Sequence, residues 1–399
     1  MATSPAAASN PAGVPNVVCR HCRTAVPAGR FCGYCGADQS DPTGGRFTVL
    51  RPGAFVVAPR QRIVLPMVSS TLLPQLPQRY RTPFRVGMGI MFAGAVVFSA
   101  LGLQGPLVTL VALGVPVLFV LYLWQADFRR DVPARVLLVS SGLGTALGVG
   151  WVWLTGGLLA RSYGMPMAAG FVLQNLVGVG LIISVGGAIL MVLPAVVVRL
   201  LKPPTRESLD GFAIGALGSL CFTAAATITR LAPQFVSGLI SDVGPLRLFI
   251  EAVLYGAAVP LTAASVGGLI GILLWFRPGQ RAGEHPRVVR AALSGFALLV
   301  AVIYSAIWVI DALRLPKWPQ LGLHILMTVI ALLAARVCLQ LALLHEAPDP
   351  FSGRPMLCVH CERVVPEMPF CPACGAALRA SSRSSRGRRR ASRPVREGE

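Results

Sequence analysis

The sequence predicts a mainly α-helical, polytopic membrane bundle of about eight transmembrane helices, flanked by two small cytosolic zinc ribbons. Three observations carry this. Hydrophobic residues make up 54% of the 399 residues and charged residues only 13%, against about 25% charged in a soluble domain. Apolar runs of spanning length recur along the middle of the chain. And one 18-residue unit occurs twice, CRHCRTAVPAGRFCGYCG from Cys19 and CVHCERVVPEMPFCPACG from Cys358, aligning without a gap at nine identical positions.

The unit reads C-x2-C, nine residues, C-x2-C-G. Two residues between cysteines let one tight turn point both sulfurs at a common centre, and two such turns make a four-thiolate tetrahedron suited to zinc. The predicted ligands are Cys19, Cys22, Cys32 and Cys35 in one unit and Cys358, Cys361, Cys371 and Cys374 in the other, two structural zinc ions in all. Gly36 and Gly375 follow the last cysteine, where a knuckle turn calls for positive φ. So short a unit buries no useful core, so metal binding must supply its folding free energy. The competing reading is disulfides, which rarely repeat this spacing. His21 and His360 sit inside the first knuckles; they are read as solvated or lying beside the metal, with ligation as the alternative. Four thiolates fill the site, so it is structural and not catalytic. The units resemble the short zinc ribbons common at the ends of bacterial membrane proteins. Cys221 and Cys338 lie in apolar runs and read as packed, unreactive thiols.

Spanning segments are expected near 86–104, 106–124, 134–155, 171–199, 211–229, 249–276, 291–310 and 322–344. The long fourth and sixth are expected to tilt, to kink near Pro194 or Pro260, or to extend past the bilayer. Runs such as SSGLGTALGVG and LVGVGLIISVGGA supply small residues for close helix packing. With the N-terminus in the cytosol, the inside loops carry Arg129, Arg130, Arg135, Arg199, Lys202, Arg206, Arg277, Arg281, Arg287 and Arg290. The outside loops carry only Arg161, Arg230, Arg247, Arg314 and Lys317. That asymmetry places both termini in the cytosol of a multi-pass cell-membrane protein, on the reducing side where thiolates hold zinc.

The domains expected are a disordered N-terminus (1–16), ribbon 1 (17–38), a linker (39–85), the bundle (86–345), ribbon 2 (355–378) and a basic disordered tail (379–399). The linker reads as a short hairpin in RFTVLRPGAFVVAPRQRIVLP, then an interfacial segment in MVSSTLLPQLPQRYRTPFR. The net charge of +20 is almost all arginine, a composition that fits a GC-rich bacterial genome. The tail reads either as solvated or as a ligand for anionic membrane lipids. With no aromatic residues among its arginines, nucleic acid is an unlikely partner.

Titratable groups at membrane depth are usually functional, and the spans offer few. Glu251 and His324 read as interfacial, Asp210 as a helix N-cap, and Arg336 as snorkelling or pairing within the bundle. LWQADFRRDVPARVLL (123–138) and LDGFAIGALGSLCFTAAATI (209–228) resemble the PrsW family of intramembrane metalloproteases over roughly residues 105–310. Asp210, Gly211, Gly215 and Phe222 match that family's pattern. Where the resemblance implies a Glu-Asn pair the chain has Ala226 and Thr227, and where it implies two histidines it has Ala258 and Ser305. The helix before, which should hold paired glutamates, lacks acids. The resemblance therefore implies a pseudoenzyme, a non-catalytic scaffold that binds a protein partner at the cytosolic face. The alternatives are a transporter for a lipid or apolar solute, and a divergent metalloprotease drawing ligands from Glu251, His324 or Glu346.

Overall fold

A computed structural model describes residues 15–20, 22–40, 71–74, 78–163, 171–203, 207–236, 244–279, 286–312, 315–347 and 353–392. Its helices are α1 (Gln78–Ala100), α2 (Gln104–Gln125), α3 (Phe128–Asp131), α4 (Ala134–Tyr163), α5 (Phe171–Leu200) and α6 (Ser208–Val236). Then follow α7 (Pro245–Val253), α8 (Val259–Trp275), α9 (Pro286–Ala312), α10 (Lys317–His345) and α11 (Arg383–Ala391). Two hairpins flank them: β1 (Asn16–Val18) with β2 (Ala25–Pro27), and β3 (Pro355–Leu357) with β4 (Val364–Pro366), both antiparallel.

The bundle is organised around α6, which is buried without a break from Ser208 to Leu220. Glycines make that possible. A Cβ at Gly211 or Gly215 would strike the backbone of Gly271 or Gly267 on α8. A Cβ at Gly144 or Gly148 on α4 would strike the backbone of Gly218 or Phe222 on the other side of α6. Backbone thus packs on backbone along both flanks, the means by which membrane helices associate without a hydrophobic driving force between them.

Among the described residues, seven helical stretches are long and apolar enough to cross a membrane, and the chain is a multi-pass membrane protein. The expected count was about eight. The difference is α1, whose apolar part, Phe84–Ala100, is shorter than those seven; it still runs along α2, with Gly87 beside Leu118 and Gly94 beside Leu110, so the two ribbons stay at the same end. Helix α1 stops early because Gly102 takes φ +67°. The Leu103 N–H then bonds back to Phe98 O and the Gly102 N–H to Ser99 O, a Schellman closure that ends the helix before 104. The expected break near Pro260 takes the form of a π-helical turn, Leu254–Ala258, joining α7 to α8. Proline has no N–H for the α-ladder, and the wider turn absorbs the change of register.

Both hairpins lie at one end of the bundle, where α2, α8 and α10 finish and α4 and α6 begin. The end of α10 is tied to the segment after α8, since the Ala347 N–H bonds Arg277 O and the Gly279 N–H bonds His345 O. Part of the linker also belongs to this end. Thr71, Leu72 and Leu73 are buried, and the Tyr122 hydroxyl donates to Pro74 O at 3.1 Å. Residues 71–74 of the expected interfacial segment are therefore packed into the core. The expected hairpin at 46–66 lies outside the described residues.

The expected disordered tail needs a larger correction. Residues 383–391 form α11, docked on the ribbon end of the bundle. Five acidic groups that sequence reading left unpaired receive it. Arg386 Nη2 donates to Glu207 Oε1 at 2.5 Å, Arg383 lies 3.6 Å from Asp210 Oδ2, and Arg388 pairs with Asp127. Asp131 accepts the Ser384 N–H at 3.0 Å and its hydroxyl at 2.6 Å, so a carboxylate sits at the start of α11. Glu367 of ribbon 2 accepts from Arg390 at 2.5 Å. Ser382 caps the helix, accepting from the Ser385 N–H while its hydroxyl donates to Ala126 O. Arginine-rich sequence reads as solvated only while its acidic partners, scattered from Asp127 to Glu367, are unseen.

Candidate functional site

Each cysteine unit folds as two knuckles. In the first, the Arg23 N–H bonds Cys19 O, and in the second the Gly36 N–H bonds Cys32 O. The second ribbon repeats both, with Glu362 on Cys358 and Gly375 on Cys371. All four closing residues take positive φ: Arg23 +56°, Gly36 +73°, Glu362 +54° and Gly375 +74°. The glycines adopt this freely and the two others under strain.

The sulfurs gather as the spacing requires. Cys19 Sγ lies 3.8 Å from Cys35 Sγ and Cys22 Sγ lies 3.7 Å from Cys32 Sγ. Cys358 to Cys374 is 3.7 Å and Cys361 to Cys371 is 3.8 Å. Within each set every sulfur lies within 4.8 Å of the others. A zinc tetrahedron with Zn–S near 2.3 Å has S···S edges of about 3.8 Å, so the residues fit the ion, and the separations are far too long for disulfides. Hydrogen bonds from Cys32 and Cys35 hold Cys22 well below the usual thiol range, while their bonds to Cys22 push Cys32 up to about 12 and Cys35 higher still. In the second ribbon Cys358 is lowered in the same way by Cys371 and Cys374, and Cys374 is raised to about 12. Without a metal, four crowded sulfurs share their protons; a dication releases them all. Each ribbon can thus hold one zinc ion, closed by four protein ligands. The ring of His360 lies outside the four-sulfur set, and His21 lies outside the described residues.

The ribbons also pack on each other. The Phe31 N–H donates to Pro372 O and the Phe370 N–H donates to Gly33 O, both at 2.9 Å. In the repeat, Phe31 corresponds to Phe370 and Gly33 to Pro372. The same donor in each unit therefore meets the same acceptor in the other, the reciprocity of an isologous two-fold interface within one chain. The contact is close: a Cβ on Gly29 would sit 2.7 Å from Pro372 O, and one on Gly375 would sit 2.9 Å from the Phe31 ring.

The remaining titratable residues divide between the two ends of the bundle. Glu346 accepts the N–H and hydroxyl of Ser208 at 2.8 and 2.9 Å, and burial pushes its carboxyl up to about 7. Asp210 does not cap α6. It is the third residue of the helix, 2% exposed, and its carboxylate reaches back to the Glu207 N–H, the returning half of a capping box. At the far end Glu251 bridges Lys317 and Arg247 at 3.2 and 3.3 Å. His324 is not interfacial: it is fully buried, with Nε2 3.0 Å from Asp311 Oδ1, an oxygen that also accepts from Gln320 at 2.6 Å. Sequence reading passed over Asp311, which stands 13 residues before His324, near the end of α9. Arg336 is 1% exposed, so it lies inside the bundle and does not snorkel. Cys338 is buried and Cys221 partly so.

Glu251, His324 and Glu346 are not brought together. Among the described residues, the sets of metal-ligating side chains close enough to share an ion are the two cysteine clusters. Ala258 ends the π turn, its carbonyl accepting from Thr262 and Thr328. Ser305 bonds back to Ala301 O at 3.1 Å, and Ala226 and Thr227 are half-buried on α6. Fold and sites together define a multi-pass membrane protein with two four-cysteine zinc-ribbon sites. No family model, no curated protein and no solved structure matches the chain.

Proposed function

We propose that this chain is a non-catalytic scaffold of a bacterial cell membrane, a PrsW-like pseudoprotease that presents a paired zinc-ribbon head to protein partners in the cytosol. The observation that carries the reading is the head itself: two closed metal sites, joined reciprocally and fixed to the ends of the spanning helices. Closed four-thiolate zinc builds rigid surfaces and leaves no open coordination position for chemistry. The cytosolic orientation rests on the arginine asymmetry of the loops and on the need of eight thiolates for a reducing compartment. The PrsW likeness rests on the quoted residues alone, and it supplies the pseudoenzyme part of the reading, since Ala226, Thr227, Ala258 and Ser305 offer no strong ligand where acids, an amide and imidazoles are implied. Affinity capture from membranes tests it. The expected result is a defined partner lost on Cys32→Ser while the bundle stays inserted. Cleavage of a reconstituted membrane peptide by a ribbon-deleted bundle that still holds metal would overturn it.

A second reading, transport, is favoured by one observation, the fully buried His324 beside Asp311. Buried ionisable pairs at membrane depth serve ion or proton pathways. Proton uptake by proteoliposomes that His324→Gln abolishes would favour transport over the scaffold.

A further inference from the structure

We propose that the β1 face of ribbon 1 is a docking surface for a partner protein, and that the partner lays a short acidic helix on it. The inference rests on the scaffold reading and gives that reading a surface and a partner chemistry.

The repeat supplies the template. β1 corresponds to β3 residue for residue, and the two hairpins pair in the same register: Val17 stands opposite Val26 as Met356 stands opposite Val365. Residues directly opposite in an antiparallel pair share a face. Val26 and Val365 are both buried, yet Met356 is 0% exposed and Val17 is 43% exposed. Two features cover Met356. It shares an apolar cluster with Val365 and Leu378, and α11 packs along β3. In ribbon 1 the place of Leu378 belongs to Gln39. Both backbones make the same bond there, Leu378 N–H to Pro369 O and Gln39 N–H to Arg30 O. The side chain differs: Gln39 brings an amide, and its Nε2 is buried with no hydrogen-bond partner among the described residues. A buried donor left unpaired costs free energy that an incoming acceptor would recover. Ribbon 2 thus shows this strand face sealed by a helix, and ribbon 1 shows the same face open beside an unmatched donor.

Differences between the copies set the charge of the missing helix. α11 is arginine-rich, and ribbon 2 meets it with Glu367, which accepts from Arg390 at 2.5 Å. The equivalent residue in ribbon 1 is Ala28. Arg20 stands where ribbon 2 has Val359, and Arg23 where it has Glu362; both arginines are exposed, in the knuckle that follows β1. The acid of ribbon 1 is Asp38, and it pairs with Arg30 at 3.5 Å. A second basic helix would find no counter-charge on this face. An acidic one meets Arg20 and Arg23, covers Val17 with its apolar side and offers Gln39 an acceptor. Exposed ion pairs add little affinity each; here they select the partner and speed its approach.

Cross-linking in membranes of cells making the full-length chain tests this. With the photoreactive residue p-benzoylphenylalanine in place of Val17, irradiation should join the chain to a second protein. Sequencing of the joined peptide should place the link in a helical segment rich in Asp and Glu. Arg20→Glu with Arg23→Glu should cut the adduct about tenfold with both zinc ions retained, and Arg20→Lys with Arg23→Lys should keep it. Raised salt should weaken the adduct of the unreversed chain as well. An adduct within this chain, with a second copy of it, with lipid or with a segment that is not acidic would overturn the proposal. So would an adduct indifferent to charge reversal and salt, or no adduct. The scaffold reading is judged apart, by the partner captured by the wild type and lost on Cys32→Ser. If that partner survives the charge reversal, the scaffold stands and this surface falls; if the wild type captures none, the scaffold itself falls.

Discussion

Ribbon 1 and ribbon 2 share nine of 18 residues, the same knuckle bonds and the same positive-φ closures, yet they stand on different ground. Ribbon 2 continues from α10, and its Phe370 and Ala377 join the hydrophobic core that includes Phe119, Tyr122 and Phe128. Arg379 donates to Glu346 O, and Glu367 is tied to α11. Among the described residues, ribbon 1 is tied to ribbon 2 by the Phe31 and Gly33 backbone bonds and by Met368, which packs on the first cysteine cluster. The difference teaches that a repeated motif need not have a repeated role. One copy is a foundation, the other is mounted on it, and the sequence unit alone does not say which.

The largest break in this comparison is removal of one metal. Zinc contributes on the order of 10 kcal/mol to so small a unit. Cys32→Ser should leave one zinc per chain with ribbon 2 intact. Cys371→Ser should cost more than its own site, because Phe31 and Gly33 lose their partners, and ribbon 1 should give up its zinc to a chelator more readily than in the wild type. Metal analysis during a chelator titration reads both outcomes; identical behaviour of the two variants would erase the proposed hierarchy.

A smaller effect separates the ribbons without unfolding either. Gly29→Val puts a side chain against the Pro372 carbonyl, where the added Cβ already falls at 2.7 Å. Overpacking against backbone costs about 1–3 kcal/mol. Both zincs should remain, while the Phe31 and Phe370 amides lose exchange protection together, as their reciprocal bonds demand.

The smallest effect concerns pH. The Glu346 carboxyl is raised by burial from about 4.5 to about 7. A raised carboxyl binds its proton more tightly when folded, so the stabilisation is full below about 4.5 and is lost as pH rises towards 7. The residue keeps partial exposure, so the loss is discounted to about 1–2 kcal/mol. Attachment of ribbon 2 to the bundle should loosen over that window, and Glu346→Gln should flatten the dependence. The contact between the ribbons, made by backbone N–H and C=O groups, should contribute no such slope. Amide exchange at pH 5 and pH 7.5 compares the two.

The metal ligands and the helical class were legible in the sequence because both are local signals: cysteine spacing for one, runs of apolar residues for the other. What was not legible depended on distant partners. Arg383, Arg386 and Arg390 look like a solvated tail until Glu207, Asp210 and Glu367 are placed opposite them. His324 looks interfacial by its position near the start of α10, and only the return of α9 at Asp311 makes it a buried pair. The Asp210 assignment failed by three residues of helix start, since Glu207 takes the cap position and Asp210 bonds back to it. The glycines of α4 were read as packing residues, and Gly144 and Gly148 pack on α6; that α6 is the central helix follows from two neighbours finding its two flanks at once.

Native-state hydrogen exchange on the zinc-loaded, full-length protein tests the central claim most directly, because it ranks the opening of each part in one molecule. The account predicts that amides of 16–40 exchange no more slowly than those of 353–378. A ribbon 1 that stays protected while ribbon 2 opens would contradict it.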